Sequence, residues 1–391
     1  GGGAGGASGA KWNSGNTGYL DFYNEAIPGH VDDGTDRQYR DPSAWYHWVW
    51  KNSSGTGTLY VNGVQQGATF SMGTLIGSGG PDVINIGRYG ADTVYAPMTM
   101  AEFVYLDGTA ATPTSFGEYD EDSPTIWKPI DVSGLTFGTN GFYLDFSNAS
   151  ALGTDANGGT ALTKTATLSQ LTDTPTNNFC TLNPLNQTNS GAVFSDGNLK
   201  MTISGAWLGL NSTFFMTTGK WYFEVKYGSG NYDIGIAQDE TAATQTSEIS
   251  TSNHGFIGRK VGGYVLTQNG GQPYKQNNAT NEGNYGSQAS GGDIMMVAYD
   301  ADTGKLFTGK GGTWNNSSDP ANGTSPMYTV TATASYTPAI SVESGVLDIN
   351  FGNPSFSISS GNADGNSRGN FEYSVPSGYY SLCTANLAEF G

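Results

Sequence analysis

Short runs in which apolar and polar residues alternate make up most of the chain, and clusters of Gly, Asn, Asp, Ser and Pro separate them. In "WYFEVKY" (Trp221–Tyr227) every second residue is aromatic or aliphatic, which is the pattern of a β-strand with one buried face. In "TLYVNGVQQG" the dipeptide Asn62-Gly63 supplies the two positive φ angles of a type I′ turn and predicts a hairpin. Because no run has the 3.6-residue period of an amphipathic helix, the sequence predicts an all-β protein of antiparallel β-sandwich domains. The predicted strands are Tyr19–Tyr23, Trp45–Trp50, Thr58–Asn62, Val83–Arg88 and Met100–Asp107 in the first half, and Leu199–Ser204, Trp221–Tyr227, Tyr232–Gln238, Gly263–Gln268, Asp293–Tyr299, Leu306–Gly309, Tyr336–Glu343 and Val346–Phe351 in the second.

Length and charge narrow the possible functions. The 391 residues are enough for two or three domains, each with its own core. The formal net charge of -18 argues against nucleic acid as a ligand, because a polyanion is bound by a basic surface that releases counterions. No apolar run reaches the ~18 residues of a membrane span, so no membrane insertion is expected. The chain opens on "GGGAGGASGA" without an initiating Met, which predicts that it begins partway through a longer polypeptide.

The sequence contains no recognisable catalytic motif. Glu102, Asp145, Glu224 and Asp233 lie on or beside predicted strands, but no local motif pairs an acid with a nucleophile for glycoside hydrolysis. These carboxylates are therefore interpreted as solvent-face or edge residues. The three His residues are not accompanied by a GxSxG nucleophile motif, so no enzymatic activity is predicted.

Cysteine and acidic residues allow few metal sites. Cys180 and Cys383 leave two alternatives open, a pair of buried thiols or a single disulfide, and the absence of a CxxC motif disfavours zinc. The loop "HVDDGTDRQ" places Asp32, Asp33 and Asp36 beside a Gly, and such carboxylate oxygens suit Ca²⁺. Apart from this Ca²⁺ site, no cofactor is predicted.

Two segments of the second half have the composition of binding loops. The segment Thr267–Gly292 contains Tyr274 and Tyr285, and "TWNNSSDPANGTSP" contains Trp314 and Asn315. Tyr and Trp offer rigid stacking area and Asn offers adaptable hydrogen bonds, so these four residues are the candidate ligand-binding residues. The alternative is a surface loop that binds nothing.

The second half resembles a SPRY domain in three successive blocks. They are "GKWYFEVKYGSGNYDIGIAQ" (Gly219–Gln238), "GGDIMMVAYDADTGKLFTGKGGTW" (Gly291–Trp314) and "YTPAISVESGVLDINFG" (Tyr336–Gly352). The resemblance implies an early hairpin, a central strand pair and a closing pair of strands. The sequence departs from the family pattern at "TGKGG", where such domains usually carry an aromatic residue and an Asn-Gly.

The first half looks like the C-terminal part of a laminin G-type, concanavalin A-like domain. This likeness rests on "DPSAWYHWVWKNSSGTGTLYVNGVQQ" (Asp41–Gln66), "INIGRYG" (Ile84–Gly90) and "MAEFVYLDG" (Met100–Gly108). It implies a second β-sandwich, which would be part of a longer domain.

The connector and the C-terminal tail are similar to those of large structural proteins of marine tailed bacteriophages. The similar phrases are "FGEYDEDSPTIWKPIDVSGLTFGTNGFYLDF", "DTPTNNFCTLNPLN" and "SVPSGYYSLCTANLAEFG". Within them "NGFYLDF" is predicted to be a strand that clamps the connector to the first sandwich. The expected domains are residues 1–128 (laminin G-like), 129–178 (connector) and 179–391 (SPRY-like with a tail).

The resemblance implies a protein on the surface of a virion: a tail fibre, a head fibre or a capsid decoration. It would contact other virion proteins, form a homo-oligomer with a trimer favoured, and present loops to a bacterial surface glycan or protein. A purely structural decorating or cementing protein is the first alternative. A glycan-degrading enzyme is the second, and it would require two carboxylates to converge in a cleft beside aromatic residues.

Overall fold

The structure is a computed structural model, and it describes residues 8–13, 19–24, 39, 44–71, 84–87, 98–121, 124–165, 168–186, 191–238, 256–332 and 334–391. The chain divides into two compact units, Gly1–Gln170 and Leu171–Gly391. Strands form nearly all of the regular structure that is described in both units, so the predicted all-β fold is confirmed. No helix in these ranges is long and apolar enough to cross a membrane.

The first unit contains small antiparallel sheets. Strand β1 pairs with β2, β3 to β5 form a three-stranded sheet, β6 pairs with β9, and β7 pairs with β8. The turn between β4 and β5 is Asn62-Gly63, with φ angles of +47° and +78°, as the dipeptide predicts. The strands are β1 (Ser8–Asn13), β2 (Tyr19–Asn24), β3 (Trp48–Ser53), β4 (Thr56–Val61), β5 (Val64–Ser71), β6 (Phe103–Tyr105), β7 (Gly117–Tyr119), β8 (Trp127–Pro129) and β9 (Phe142–Leu144).

The stretch "NGFYLDF" lies within the first unit as β9. Its residues pair with those of β6, from Phe103 opposite Leu144 to Tyr105 opposite Phe142. The Phe142 ring is stacked on Phe103 and on Tyr105, at centroid distances of 5.7 and 5.6 Å. The strand thus joins the segment that follows β8 to the rest of this unit. The boundary between the two units, at Gln170, falls inside the expected connector, residues 129–178.

Trp127 of β8 packs against the β4–β5 turn and the residue before β3. Its indole Nε1–H donates a hydrogen bond to His47 Nδ1 at 2.9 Å, and the two rings are stacked at 5.8 Å. A side chain at position 63 would place its Cβ 2.3 Å from the Trp127 ring, so this packing requires Gly63. The indole therefore locks the β7–β8 hairpin onto the three-stranded sheet.

Some predicted strands of the first unit are wrong in extent. The strand predicted at Val83–Arg88 does not form in its described residues, 84–87. Met100–Asp107 is reduced to β6, because Glu102 has a φ of +83°, which no strand residue adopts. The strand predicted at Trp45–Trp50 begins only at Trp48. The laminin G-type resemblance stays a prediction.

The second unit is larger and consists of thirteen strands and one short helix among its described residues. The strands are β10 (Val193–Ser195), β11 (Lys200–Ile203), β12 (Leu208–Asn211), β13 (Lys220–Gln238), β14 (Gly263–Gln268), β15 (Tyr274–Asn277), β16 (Thr280–Asn284), β17 (Ile294–Asp300), β18 (Lys305–Lys310), β19 (Thr313–Trp314), β20 (Tyr328–Thr329), β21 (Tyr336–Asn350) and β22 (Tyr380–Ser381), and the helix is α1 (Thr384–Phe390).

Two long strands, β13 and β21, run through both sheets of this unit. The first sheet has the order β10–β11–β21–β13–β17–β18 and uses residues 220–227 of β13. The second sheet has the order β12–β21–β13–β14–β15–β16 and uses residues 231–238. Side chains from both halves, Trp221 and Phe223 on one side and Ile234 and Ile236 on the other, belong to one buried core. The two sheets therefore face each other as a β-sandwich.

The sequence predicts two separate strands where the structure has the single strand β13, and two more where it has the single strand β21. The predicted breaks within these two segments are therefore wrong. The pairing of β13 with β21 continues through register shifts between Tyr227 and Asn231. Gly230 has a φ of +89°, and a Cβ there would lie 2.4 Å from the Glu343 carbonyl oxygen. Glycine and a bulge thus bend the strand pair from one sheet into the other without ending it.

Chain segments cover the outer face of each sheet. On the first sheet Phe371 and Tyr379 pack with Tyr222 and Phe307 in a separate buried cluster. On the second sheet the turn Ile257–Arg259 lies over β13 and β14, and Ile257 is buried with Ala237, Val265 and Ala339. Both sheets are therefore buried on two faces over much of their area.

Of the two alternatives for the cysteines, the pair of buried thiols is the one observed. Cys180 and Cys383 are both free and fully buried. Burial raises the pKa of the Cys180 thiol to about 11, so this group is an unreactive part of the core.

Candidate functional site

The four predicted ligand-binding residues lie in three different places. Tyr274 is half-buried on the outer face of the second sheet, in register with Thr267 and with Asn284. Trp314 is half-buried on the outer face of the first sheet, where its ring meets Tyr222 edge-on at 6.4 Å. Tyr285 and Asn315 lie between these places, inside the unit. The four residues therefore form no common surface, and the segment Thr267–Gly292 contains strands β15 and β16 as well as loops.

Tyr285 and Asn315 are buried rather than exposed on a loop surface. Tyr285 is 7% exposed within the main core, and its hydroxyl lies 3.5 Å from the Asn315 carbonyl oxygen. Asn315 is 9% exposed, and its side-chain amide donates to Thr308 Oγ1 at 3.2 Å. The Tyr285 N–H also donates a hydrogen bond to the Pro273 carbonyl, which fixes the backbone at this position. A binding role for the four residues stays a prediction.

The predicted Ca²⁺ ligands Asp32, Asp33 and Asp36 lie outside the described residues. Within the described ranges no three His, Cys, Asp or Glu side chains come together as a metal site. The Ca²⁺ site therefore stays a prediction.

Two of the four strand carboxylates are buried, which corrects their interpretation as solvent-face residues. Glu224 and Asp233 are both 0% exposed, whereas Glu102 is exposed and Asp145 half-buried. Alternation places Glu224 and Asp233 on outer strand faces as expected, but the covering segments exclude water from both. Neither position could have been recognised as buried from the local sequence alone.

Glu224 accepts four hydrogen bonds from two different parts of the fold. Oε1 accepts from the Tyr222 hydroxyl at 2.9 Å and from the Tyr373 N–H at 2.8 Å. Oε2 accepts from the Glu372 N–H at 3.0 Å and from the Asn350 side-chain amide at 3.2 Å. Burial raises the pKa of Glu224, and these hydrogen bonds partly oppose the rise. The carboxylate thus ties the C-terminal segment to the first sheet.

Asp233 has the same role on the second sheet. Its oxygens accept hydrogen bonds from the Gly258 N–H at 3.1 Å, the Thr267 hydroxyl at 2.8 Å and the Ser341 hydroxyl at 3.0 Å. Burial raises the pKa of Asp233 to about 6, against the effect of these three donors. The carboxylate thereby fixes the turn that carries Arg259 to the strands beneath it.

Around this turn lies a group of aromatic and cationic side chains, which we name the outer aromatic surface: Trp207, Arg259, Asn269 and Tyr274. The half-buried Trp207 ring contacts Phe256 at 4.0 Å, and the exposed Arg259 guanidinium lies 5.0 Å above the same Phe256 ring. Burial raises the pKa of the Tyr274 hydroxyl, while the nearby Arg259 charge and a hydrogen bond with Asn269 oppose this. Trp, Tyr and Arg are the residues most enriched where proteins bind partners strongly.

The sequence reasoning missed Trp207 and Arg259. Trp207 stands between "SGA" and "LGL", outside any clear alternating run, and Arg259 follows a Gly in "GFIGRK". The available signal was the scarcity of cations: only 16 Lys and Arg occur in 391 residues, and Arg259 follows the aromatic Phe256 by three positions.

These features define an all-β protein whose second unit is a β-sandwich with anchored outer segments. Two solved structures are similar to part of the chain. The SPRY domain of human HERC1 is 13% identical and covers 43% of this chain and 96% of its own, with a TM-score of 0.33. The TRIM65 PSpry domain is 16% identical and covers 44% of this chain and 91% of its own, also with a TM-score of 0.33.

No protein-family model matches the chain, and no curated protein matches it either.

Proposed function

We propose that this chain is a non-enzymatic surface protein of a bacteriophage virion, such as a tail fibre, head fibre or capsid decoration. We further propose that its second unit binds a bacterial surface glycan or protein. The virion assignment rests on the connector and tail resemblance alone. The binding assignment rests on the outer aromatic surface.

The outer aromatic surface supports binding because its residues are both accessible and held in place. Arg259 is exposed, and Trp207 and Tyr274 are half-buried, so each is fixed by packing on one side and free on the other. Asp233 fixes the turn below them, because it accepts a hydrogen bond from the Gly258 N–H of the turn and two more from the Thr267 and Ser341 hydroxyls of the strands. Such preorganisation reduces the entropy lost on binding. Stacking on Trp207 and hydrogen bonds from Arg259 and Asn269 suit a sugar ring or an extended peptide.

The two buried carboxylates favour a binding protein over a glycan-degrading enzyme. A glycosidase needs one carboxyl group to donate a proton and another to act as nucleophile or base, both within reach of substrate. Glu224 and Asp233 are instead occupied by hydrogen bonds to their own chain. We expect the protein to form a homo-oligomer with a trimer favoured, to contact other virion proteins and to bind no nucleic acid, as its charge of -18 suggests.

A purely structural role is the second candidate, and exposed apolar side chains at sheet edges favour it. Val193 on β10, at the edge of the first sheet, is 67% exposed, and Leu185, in a turn that contacts the edge strand β12 of the second sheet, is 78% exposed. Exposed aliphatic groups beside an edge strand are typical of surfaces that contact another chain. In this case the second unit would cement the particle and bind no host ligand.

The test is binding of the purified protein to a bacterial glycan array and to host cells, with and without Ca²⁺. The variant Trp207→Ala with Tyr274→Ala should lose binding, whereas Tyr119→Ala, an exposed aromatic change in the first unit, should not. Trp314→Ala shows whether the outer face of the first sheet contributes. Circular dichroism confirms that each variant is folded. Absence of binding by the parent protein under every condition would favour the structural role.

A further inference from the structure

A second group of side chains lies between the two sheets at one edge of the second unit. We name it the tyrosine edge: Tyr264, Tyr299, Tyr328 and Tyr336. Ring centroids are 5.3 Å apart for Tyr264 and Tyr328, 6.1 Å for Tyr264 and Tyr336, and 5.6 Å for Tyr299 and Tyr336. Tyr264 is half-buried and is the member of the group that is reachable from solvent, while the other three are buried.

One ion pair lies at the opening of the tyrosine edge. Lys275 Nζ lies 5.1 Å from the centroid of the Tyr328 ring and 3.8 Å from Glu282 Oε2. The two charged side chains are 27% and 37% exposed, so both can still contact a ligand. The opening thus offers an ammonium donor and a carboxylate acceptor with no net charge.

The hydroxyl groups of the tyrosine edge differ in their partners. The Tyr299 hydroxyl is buried and has no hydrogen-bond partner among the residues that the structure describes, whereas the buried Tyr328 hydroxyl donates to the Glu282 carboxylate. The Tyr336 hydroxyl, by contrast, accepts a hydrogen bond from Gln238 Nε2 at 3.3 Å. The Tyr328 hydroxyl thus helps to hold the Glu282 carboxylate at the opening of the tyrosine edge, because a charge-assisted hydrogen bond is stronger than a neutral one.

We propose that the tyrosine edge binds a neutral saccharide ring, with one face of the ring on Tyr264 and its hydroxyls bonded by Lys275 and Glu282. An aromatic face presents area that the C–H groups of a sugar can cover, and the paired charges supply a donor and an acceptor for hydroxyls. This site is distinct from the outer aromatic surface. On β15, Lys275 points to the inner face of the second sheet, and Tyr274 points to the outer face.

The charges select a neutral ligand over a charged one. A uronic acid would compete with Glu282 for the Lys275 ammonium, and the whole chain carries a net charge of -18, which repels acidic polymers. An amino sugar would compete with Lys275 for the Glu282 carboxylate. Only a ligand without charge leaves the 3.8 Å ion pair intact.

The experiment is ligand-observed NMR titration of the full chain with methyl glycosides of glucose, galactose and mannose, compared with glucuronate and glucosamine. At least one neutral glycoside should bind saturably and at least about tenfold more tightly than both charged sugars. Tyr264→Ala should weaken this binding on the order of tenfold, as expected for the loss of one stacking contact, and Tyr264→Phe should preserve it. Tyr274→Ala, on the other face of the same sheet, should leave it unchanged.

Charge variants decide the question if Tyr264→Ala does not fold. Glu282→Gln leaves the Lys275 ammonium unpaired and should shift preference toward glucuronate, and Lys275→Gln should shift it toward glucosamine. No saturable binding of any neutral glycoside, or equal loss in Tyr264→Ala and Tyr274→Ala, would overturn the proposal. The outcome does not depend on the outer aromatic surface, since Trp207→Ala with Tyr274→Ala tests that surface separately.

Discussion

Replacing Glu224 with Gln is the most direct test of how the C-terminal segment is held. The substitution preserves the size of the side chain, but it replaces one acceptor oxygen with an amide group that donates. Glu224 is fully buried and accepts four hydrogen bonds, two of them from the N–H groups of Glu372 and Tyr373. In the variant, two of the four donors face an NH₂ group and lose their acceptor.

The expected cost follows from those two donors. A buried donor left without a partner costs about 1–3 kcal/mol, so the pair costs about 2–6 kcal/mol. Removal of a buried charge, whose burial raises the pKa of Glu224, offsets part of this. We therefore expect Glu224→Gln to lower the free energy of unfolding of the second unit by about 3 kcal/mol, which a domain of ordinary stability survives.

Guanidinium unfolding followed by circular dichroism measures the change, and Glu282→Gln is the matched control. Glu282 has a 37% exposed side chain, so its substitution should change the free energy of unfolding by less than about 0.5 kcal/mol. Amide hydrogen exchange locates the effect: the Glu372 and Tyr373 amides should exchange faster in Glu224→Gln, and the Gly258 amide should not. Unchanged stability together with unchanged protection of those two amides would refute the anchoring role.

Three further predictions concern pH and packing. Burial raises the pKa of Asp233 from 3.8 to about 6, so the folded second unit holds this proton more tightly than the unfolded chain. The resulting stability is present below about pH 4 and is lost as pH rises through 6, by about 3 kcal/mol, and Asp233→Asn should lack this slope in unfolding titrations. Burial lowers the pKa of His47 from 6.5 to about 4, so its contribution to the first unit is present above pH 6.5 and is lost toward pH 4. His47→Gln should abolish that loss, which is at most about 3 kcal/mol when followed by tryptophan fluorescence. Gly63→Ala should destabilise the first unit by more than about 2 kcal/mol, because it adds a clash with Trp127 to the strain of a positive φ. In thermal unfolding, Gly108→Ala is its control, with a φ of +81° and no atom within 4 Å of the added Cβ.

The sequence predicts well those features that depend on neighbours along the chain. The turn at Asn62-Gly63 and the alternation in Trp221–Tyr227 are both local, because a dipeptide sets the turn and a period of two sets the face. Burial of Tyr285 and Asn315 depends instead on their contacts with each other, thirty residues apart. Such contacts leave no mark in the composition of a loop that is rich in Asn and Gly.

The burial of Glu224 and Asp233 also depends on residues that are distant in the sequence, so it could not be predicted from the strands themselves. An outward residue on an amphipathic strand is solvent-exposed only if nothing covers that face, and here Glu372 and Tyr373 cover Glu224 from far along the chain. The donors that make the burial tolerable are mostly backbone N–H groups, which every non-proline residue supplies, and hydroxyls of ordinary Ser, Thr and Tyr residues, which form no motif. Sequence alone therefore identified the strands that carry the carboxylates and could not identify their environment.

The bend in β13 explains how one strand serves two sheets. Before the bend the odd-numbered Trp221, Phe223 and Val225 face the core, and after it the even-numbered Tyr232, Ile234 and Ile236 do so. The register shift between Tyr227 and Asn231 changes the inward face by one position. Without that change, Asp233 would point into the core and Ile234 away from it. The same shift that keeps both apolar runs in one core therefore places Asp233 under the outer aromatic surface, where its hydrogen bonds hold the turn that carries Arg259.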